Sequence, residues 1–204
     1  MTPIKSNIVI LIPAAGASRR LGSPKQLLKW GDSTLLSHTI ETVEELGQKE
    51  IIVVLGAYFD KIKSEIENRS VHILKNEDWK NGLGSSIAVG VEYLLNDNRN
   101  FDAVLIMLAD QPLITSKYLK AMVGKFRADE NQIIATVYGK GKYGVPALFD
   151  KKYFNQLQKL TDDRGAQELI KRLTKFVTSV DVNPLIVDID TEEDYKKIYA
   201  ANHQ

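Results

Sequence analysis

The chain has 204 residues, with 27 Lys and Arg against 26 Asp and Glu for a formal net charge of +1, 44% hydrophobic residues and no cysteine. That length suits one continuous core, and the missing thiols exclude disulfide frameworks, zinc ribbons, iron–sulfur clusters and cysteine nucleophiles together. Near-neutral charge argues against a nucleic-acid partner, and no run approaches the ~20 apolar residues that span a membrane, so a compact cytoplasmic protein is expected.

The N-terminus imitates a secretory leader, with Lys5, an apolar run at 8–12 and Ala15-Gly16-Ala17 in an A-x-A pattern. The run is short, Pro13 interrupts it, and Arg19 and Arg20 follow, so a buried first strand is the better reading. Further β-branched runs at 51–55, 71–74, 104–108 and 133–137 read as strands covered on both faces. Between them, Leu35, Leu36, Ile40, Val43 and Leu46 make one helical stripe that Gly47 stops. Residues 85–95 and 116–126 repeat that pattern, the latter behind Thr115 as N-cap. Past Tyr138 come a glycine-rich turn at 139–144 and an extended piece at 145–149, then helical stretches at 152–160 and 165–173. Extended pieces at 176–180 and 186–189 and a closing helix at 191–201 complete the chain. Alternation of this kind predicts a three-layer α/β fold with a mostly parallel central sheet. The part beyond Tyr138 reads as an insertion on the substrate side that returns to the sheet.

Ligands of open α/β sheets sit beyond the carboxyl ends of the strands. The first such loop, Pro13-Ala14-Ala15-Gly16-Ala17, lets a ligand approach the backbone, and Arg19, Arg20 and Lys25 follow within seven positions. Small residues plus three cations suit a nucleoside triphosphate; a mobile surface turn with solvated basic residues is the plain alternative. The loop is neither a Walker A motif nor a dinucleotide turn, because five residues separate Gly16 from Gly22 and Gly16 stands alone. Gly139-Lys140-Gly141-Lys142-Tyr143-Gly144 matches G-x-G-x-x-G, but Pro146 follows in an extended segment, so a hairpin is expected. At 82–87, Gly84, Ser85 and Ser86 at a helix start would offer free N–H and hydroxyl groups to an anion or a base edge. Asp110, at the exit of the apolar strand 104–108, stands either as a Mg²⁺ ligand or as a turn cap before Pro112. Asp163 is a candidate second acid or a helix N-cap. His38, His72 and His203 have no metal-ligand or triad spacing and read as structural.

These pieces, in this order, resemble the molybdenum cofactor cytidylyltransferases of the nucleotidyltransferase superfamily. That family's opening L-A-A-G-x-S-x-R-M-G-x-x-K is present as residues 13–25, and its N-x-x-W-x-x-G-x-G-S-S-I as Asn76, Trp79, Gly82, Gly84, Ser85, Ser86 and Ile87. Its L-A-D-Q-P lies at 108–112, its G-D-x-G-A at 162–166 and its D-I-D-T-x-E-D at 188–194. Pro13, Leu21 and Asp162 depart from the pattern, and Val145 stands where many relatives carry a His facing the acceptor. The resemblance implies a Rossmann-like nucleotidyltransferase fold in a single domain, residues 1–204. The part to about 138 would bind nucleotide and the remainder would form the acceptor side.

It further implies that the backbone of Ala14, Ala15 and Gly16 borders base and ribose, with Gly84 and Ser85 adding nucleotide contacts. Arg19 and Lys25 would neutralise the triphosphate, and Asp110, with Asp163 as second partner, would hold Mg²⁺. Ala15, where guanosine users have Gly, implies CTP. The implied reaction transfers CMP to the phosphate of molybdopterin with release of pyrophosphate, by positioning and charge neutralisation without a covalent intermediate. A molybdenum hydroxylase would receive the product. Two rivals remain: cytidylyl transfer to 2-C-methyl-D-erythritol 4-phosphate, which Lys25-Gln26 and Thr161-Asp162-Asp163 also resemble, and a non-catalytic molybdopterin carrier.

Overall fold

Uninterrupted Val/Ile/Leu runs can be buried only in a sheet that is covered on both faces. A computed structural model of the chain describes residues 6–48, 50–138, 141–180 and 186–203. In chain order the elements begin with β1 (Ile8–Pro13), a small hairpin β2 (Lys29–Trp30) and β3 (Ser33–Thr34), α1 (Leu35–Glu44), β4 (Ile51–Leu55), α2 (Phe59–Ile66) and β5 (His72–Lys75). They continue with α3 (Leu83–Asn96), β6 (Ala103–Ile106), α4 (Ser116–Lys125), β7 (Ile133–Val137) and β8 (Tyr143–Asp150). Two short helices, α5 (Phe154–Leu157) and α6 (Gln167–Arg172), then β9 (Val177–Ser179) and α7 (Glu192–Asn202) follow.

Seven strands form the main sheet in the order β5-β4-β1-β6-β8-β7-β9. Every neighbouring pair is parallel except the two that involve β8. Central β1 pairs Ile10 with Ile51 on one side and Leu11 with Ile106 on the other. Its alternate residues feed two cores. Ile8, Ile10 and Ile12 pack with Leu36 and Ile40 of α1, Ile62 of α2 and Leu119 of α4. Val9 and Leu11 pack with Ile87 and Val91 of α3, Leu157 of α5 and Ile170 of α6. Side chains of this size contribute about 1.5–3 kcal/mol each when fully buried, which makes the three-layer α/β arrangement the stable one. Helix α3 lies so close to the sheet that a Cβ on Gly90 would come within 2.3 Å of Leu11 Cδ1.

Strand β4 matches its predicted limits, and Thr115 caps α4 by accepting from Tyr118 N. Other expectations change. The edge strand β5 is exposed or half-buried throughout, not covered on both faces. Strand β6 ends at Ile106, so Met107 and Leu108 already bend toward the site. The helical stretches at 152–160 and 165–173 shorten to α5 and α6, each bounded by turns. The piece after Tyr138 is no insertion: β8 runs back between β6 and β7 as an integral strand. The β7–β8 pairing is the expected hairpin, although Gly139 and Lys140 of its turn lie outside the described residues, as does Lys5. Residues 186–189 form no strand. Ile189 is instead buried in a third cluster with Trp30, Leu35 and Ile198, which pins the segment before α7 across the mouth of the sheet. Among the described residues no helix is long and apolar enough to cross a membrane.

Candidate active site

The loop after β1 owes its shape to two residues in the left-handed region, Ser18 (φ 50°) and Gly22 (φ 67°). Ser18 Oγ accepts from Lys25 N at 3.0 Å and its carbonyl accepts from Leu21 N at 2.9 Å, which closes the turn. The short turn at Lys25–Leu27 then sends Lys25 toward the cleft and Gln26 inward. Gln26 is buried, and its Nε2 donates to Ala14 O (2.7 Å) and Gly16 O (3.0 Å). On the opposite side Ala14 N donates to Val54 O and Ala57 N to Ala15 O, so the small-residue loop is clamped from both flanks.

The clamped loop forms one wall of a cavity of about 410 Å³ at the carboxyl ends of β1 and β6, within the size range of small-molecule sites. Ala14, Ala15, Gly16, Arg19, Lys25 and Asp110 all line it, and Asp163 stands exposed on its rim against Gly82. Gly82 needs its freedom here: it has φ 93°, and a Cβ would fall 2.4 Å from Asp163 Oδ1. The donors expected to be free at the start of α3 are not free. Gly84 N donates to Asp162 O at 2.7 Å, while Ser85 Oγ donates to Gly82 O at 2.8 Å and accepts from buried Asn76. A Cβ on Gly84 would meet the 161–162 backbone at 2.8 Å. Gly84 therefore welds α3 to the loop before α6, Ser85 ties it to Asn76 and Gly82, and Gly82, Leu83 and Ser86 face the cavity in their place.

Charge gathers at Lys25. Its ammonium is ion-paired with Asp110 Oδ2 and lies 3.4 Å from both Ile189 O and Asp190 Oδ1. Arg20 pairs with the other Asp190 oxygen at 3.0 Å. Ile189 N donates to Asp110 O at 2.9 Å, which locks the 186–190 segment onto the acid. Asp110 Oδ1 is buried without a hydrogen-bond partner, an electron-rich atom that a cation would satisfy. Among the described residues no three His, Cys, Asp or Glu side chains converge as a ready-made metal cage.

A second cavity of about 370 Å³ adjoins the first and shares Leu83, Leu108 and Asp163 with it. Val145, the position of the departure from the resembled pattern, is in its lining. Gln111 is buried beneath it and donates from Nε2 to Tyr138 OH (2.7 Å) and Asp188 Oδ1 (2.8 Å), while the Tyr138 hydroxyl donates to Val145 O. Burial pushes the Tyr138 hydroxyl well up. Asp188 is exposed as a residue, yet partial enclosure of its carboxyl raises its pKa against the opposing hydrogen bond from Gln111. The histidines stay structural: His38 Nε2 lies 3.0 Å from Pro112 O, and His203 packs on Trp30 and Tyr199.

Two adjoining cavities with cations and an unsatisfied acid at one end fit the joining of an activated phosphate to a second substrate. Residues 10–176 match the model of the MobA-like NTP transferase domain. A probable molybdenum cofactor guanylyltransferase of Bacillus cytotoxicus is 24% identical over 92% of this chain and 94% of its own length. The chain also matches bifunctional GlmU proteins, at 27% identity for that of Nitrosomonas europaea, and spans 38% of that relative. Among solved structures, the homologue of Mycobacterium tuberculosis Rv0371c from Mycobacterium sp. strain JC1 superposes with a TM-score of 0.81 at 30% identity, covering 97% of this chain and 98% of its own. Rv0371c of M. tuberculosis in complex with manganese superposes at 0.78 and 25% identity, over 96% and 100%. Site geometry, fold and a match over most of its length agree that this chain is a nucleotidyltransferase and belongs to the MobA-like NTP transferase family.

Proposed function

We propose that the protein transfers CMP from CTP to the phosphate of molybdopterin and releases pyrophosphate. Ala15 carries the nucleotide choice. It is only 4% exposed, and its methyl group stands so near Gly56 that a Cβ there would come within 2.8 Å of it, with Trp79 alongside. Ala15 and Trp79 both line the cavity, and alanine in place of glycine at this position is what the resemblance ties to cytidine rather than guanosine. The name of the Bacillus cytotoxicus relative supports molybdenum cofactor as acceptor and points to guanylyl rather than cytidylyl transfer, so the base is the step to test first.

In this reading the backbone of Ala14 to Gly16 borders base and ribose, and Arg19 and Lys25 neutralise the triphosphate. Asp110 holds Mg²⁺, with Asp163 on the rim as its second partner. Bound there, Mg²⁺ would offset the charge of the phosphate oxygens. The acceptor sits in the second cavity, whose lining comes mostly from Tyr138 onward, in keeping with a nucleotide side up to about 138 and an acceptor side beyond. Its phosphate oxygen attacks the α-phosphorus in line, forming one P–O bond as the bond to pyrophosphate breaks. Lys25 stabilises charge on the leaving group, and the clamped loop holds the nucleotide in register; positioning of this kind is worth up to ~7–11 kcal/mol.

The second reading keeps CTP and changes the acceptor to 2-C-methyl-D-erythritol 4-phosphate. It draws on Lys25-Gln26 and on the polar Gln111, Tyr138 and Arg164 of the second cavity. Pyrophosphate release with CTP, GTP, ATP and UTP against both acceptors decides among these. Tight molybdopterin binding without turnover would mark a carrier instead.

A further inference from the structure

We infer that a third cavity, between the β7–β8 hairpin and α6, is an anion site for a phosphate-sized oxyanion, carried as a second group of the acceptor or bound free. Its link to the acceptor rests on the reading of the second cavity as the acceptor site. The third cavity holds about 330 Å³ and is lined by Lys142, Tyr143, Gln167, Glu168, Lys171 and Thr174 among others, a volume within the range of small-molecule sites. Gln167 lines the second cavity too, whereas the first and third have no lining residue in common. The pocket therefore lies next to the acceptor cavity and away from the phosphate loop.

Its charge is the observation that carries the inference. Lys142 and Lys171 bring two positive charges against one acid, Glu168, and Arg164 already engages that acid at 2.8 Å. Among the described residues neither lysine forms an ion pair. The two cations come from separate elements, each fixed by the fold. The hairpin is closed at Lys142, whose carbonyl accepts from Tyr138 N at 2.8 Å. Lys171 stands on α6, which Leu169 and Ile170 bury against the sheet, and Thr174 Oγ1 donates to Lys171 O at 2.6 Å to tie the following turn. Two like charges that share one pocket without counter-ions of their own favour an anion between them. Lysine ammoniums, compact point charges with rotatable donors, suit the oxygens of a phosphate-like group. An acceptor with a single phosphate spends that group on the α-phosphorus and has nothing to place here.

A titration of the isotope-labelled protein with inorganic phosphate, followed by NMR at the amides of Lys142, Tyr143, Lys171 and Thr174, tests this without turnover. Wild type should show saturable shifts there. Exposed ion pairs of this kind predict binding weaker by about one-and-a-half- to fivefold in Lys142→Met or Lys171→Met, and by about two- to twenty-fivefold in the double variant. Lys120→Met removes a charge from an exposed position on α4 and should leave the affinity at that of wild type. No shift at these amides, or equal weakening in Lys120→Met, would overturn the inference. Pyrophosphate release then separates the two sources of the anion. A raised KM for molybdopterin with an unchanged KM for CTP in the double variant places the acceptor's own group in the pocket, and an unchanged KM for molybdopterin assigns the pocket to a free anion. Absence of pyrophosphate release from wild type would strike the functional reading, while the phosphate titration still decides the pocket.

Discussion

Gln26 couples the stability of the loop to its grip on nucleotide, and replacing it separates the two. In Gln26→Leu both hydrogen bonds to Ala14 O and Gly16 O are lost, at about 0.5–1.5 kcal/mol each. Part of that is returned, because Gln26 Oε1 is itself buried without a partner and leucine removes it. A net loss of about 1–2 kcal/mol lowers the melting temperature of a chain this size by about 2–8 °C. In Gln26→Glu the same two carbonyls face a carboxylate oxygen instead of an N–H donor, so the loss is larger than in Gln26→Leu although the shape is kept. Thermal melts give the order wild type above leucine above glutamate, and steady-state kinetics give a raised KM for nucleotide with an unchanged KM for acceptor. A glutamate variant as stable as wild type, or a leucine variant with unaltered nucleotide KM, would refute the clamp.

Asp110→Asn is expected to abolish pyrophosphate release while circular dichroism stays that of wild type; wild-type turnover would remove Asp110 from the site. At the far end of α3, hydrogen bonds from Arg99 hold the Asp97 carboxyl at about 2, against ~3.9 in an unfolded chain. Its folded pKa is depressed, so its contribution is full above about pH 4 and lost as pH falls toward 2. The acid limb of melting temperature against pH should therefore flatten in that window in Asp97→Asn, and an unchanged limb would contradict the pairing.

Much of this site was legible because its parts follow strands. Apolar runs locate β1 and β6, and ligands gather where parallel strands end, so Lys25 and Asp110 could be singled out before their ion pair was seen. Asp190 could not, since 165 residues separate it from Lys25 and only the burial of Ile189 brings the segment back. The one available signal was the D-I-D-T pattern at 188–191, which shows that these acids recur together but not what they face. Gly84 and Ser85 misled because a helix start has free donors only if nothing nearby takes them: Asp162 O accepts from Gly84 N, and the Ser85 hydroxyl donates to Gly82 O and accepts from buried Asn76. Strand β5 shares only Ile73 and Leu74 with the apolar pattern of its neighbours, and its place at the sheet edge, which depends on crossovers, leaves it exposed or half-buried. Helix α2 has Phe59, Ile62 and Ile66 at helical spacing but no side-chain N-cap, the cue that marks α4.

The claim on which the account turns is cytidylyl transfer to a phosphate acceptor, and pyrophosphate release across four nucleotides with molybdopterin tests it most directly. The account predicts release with CTP, well above GTP and ATP, because Ala15 stands where guanosine users of the resembled family have Gly. A clear preference for GTP would contradict it.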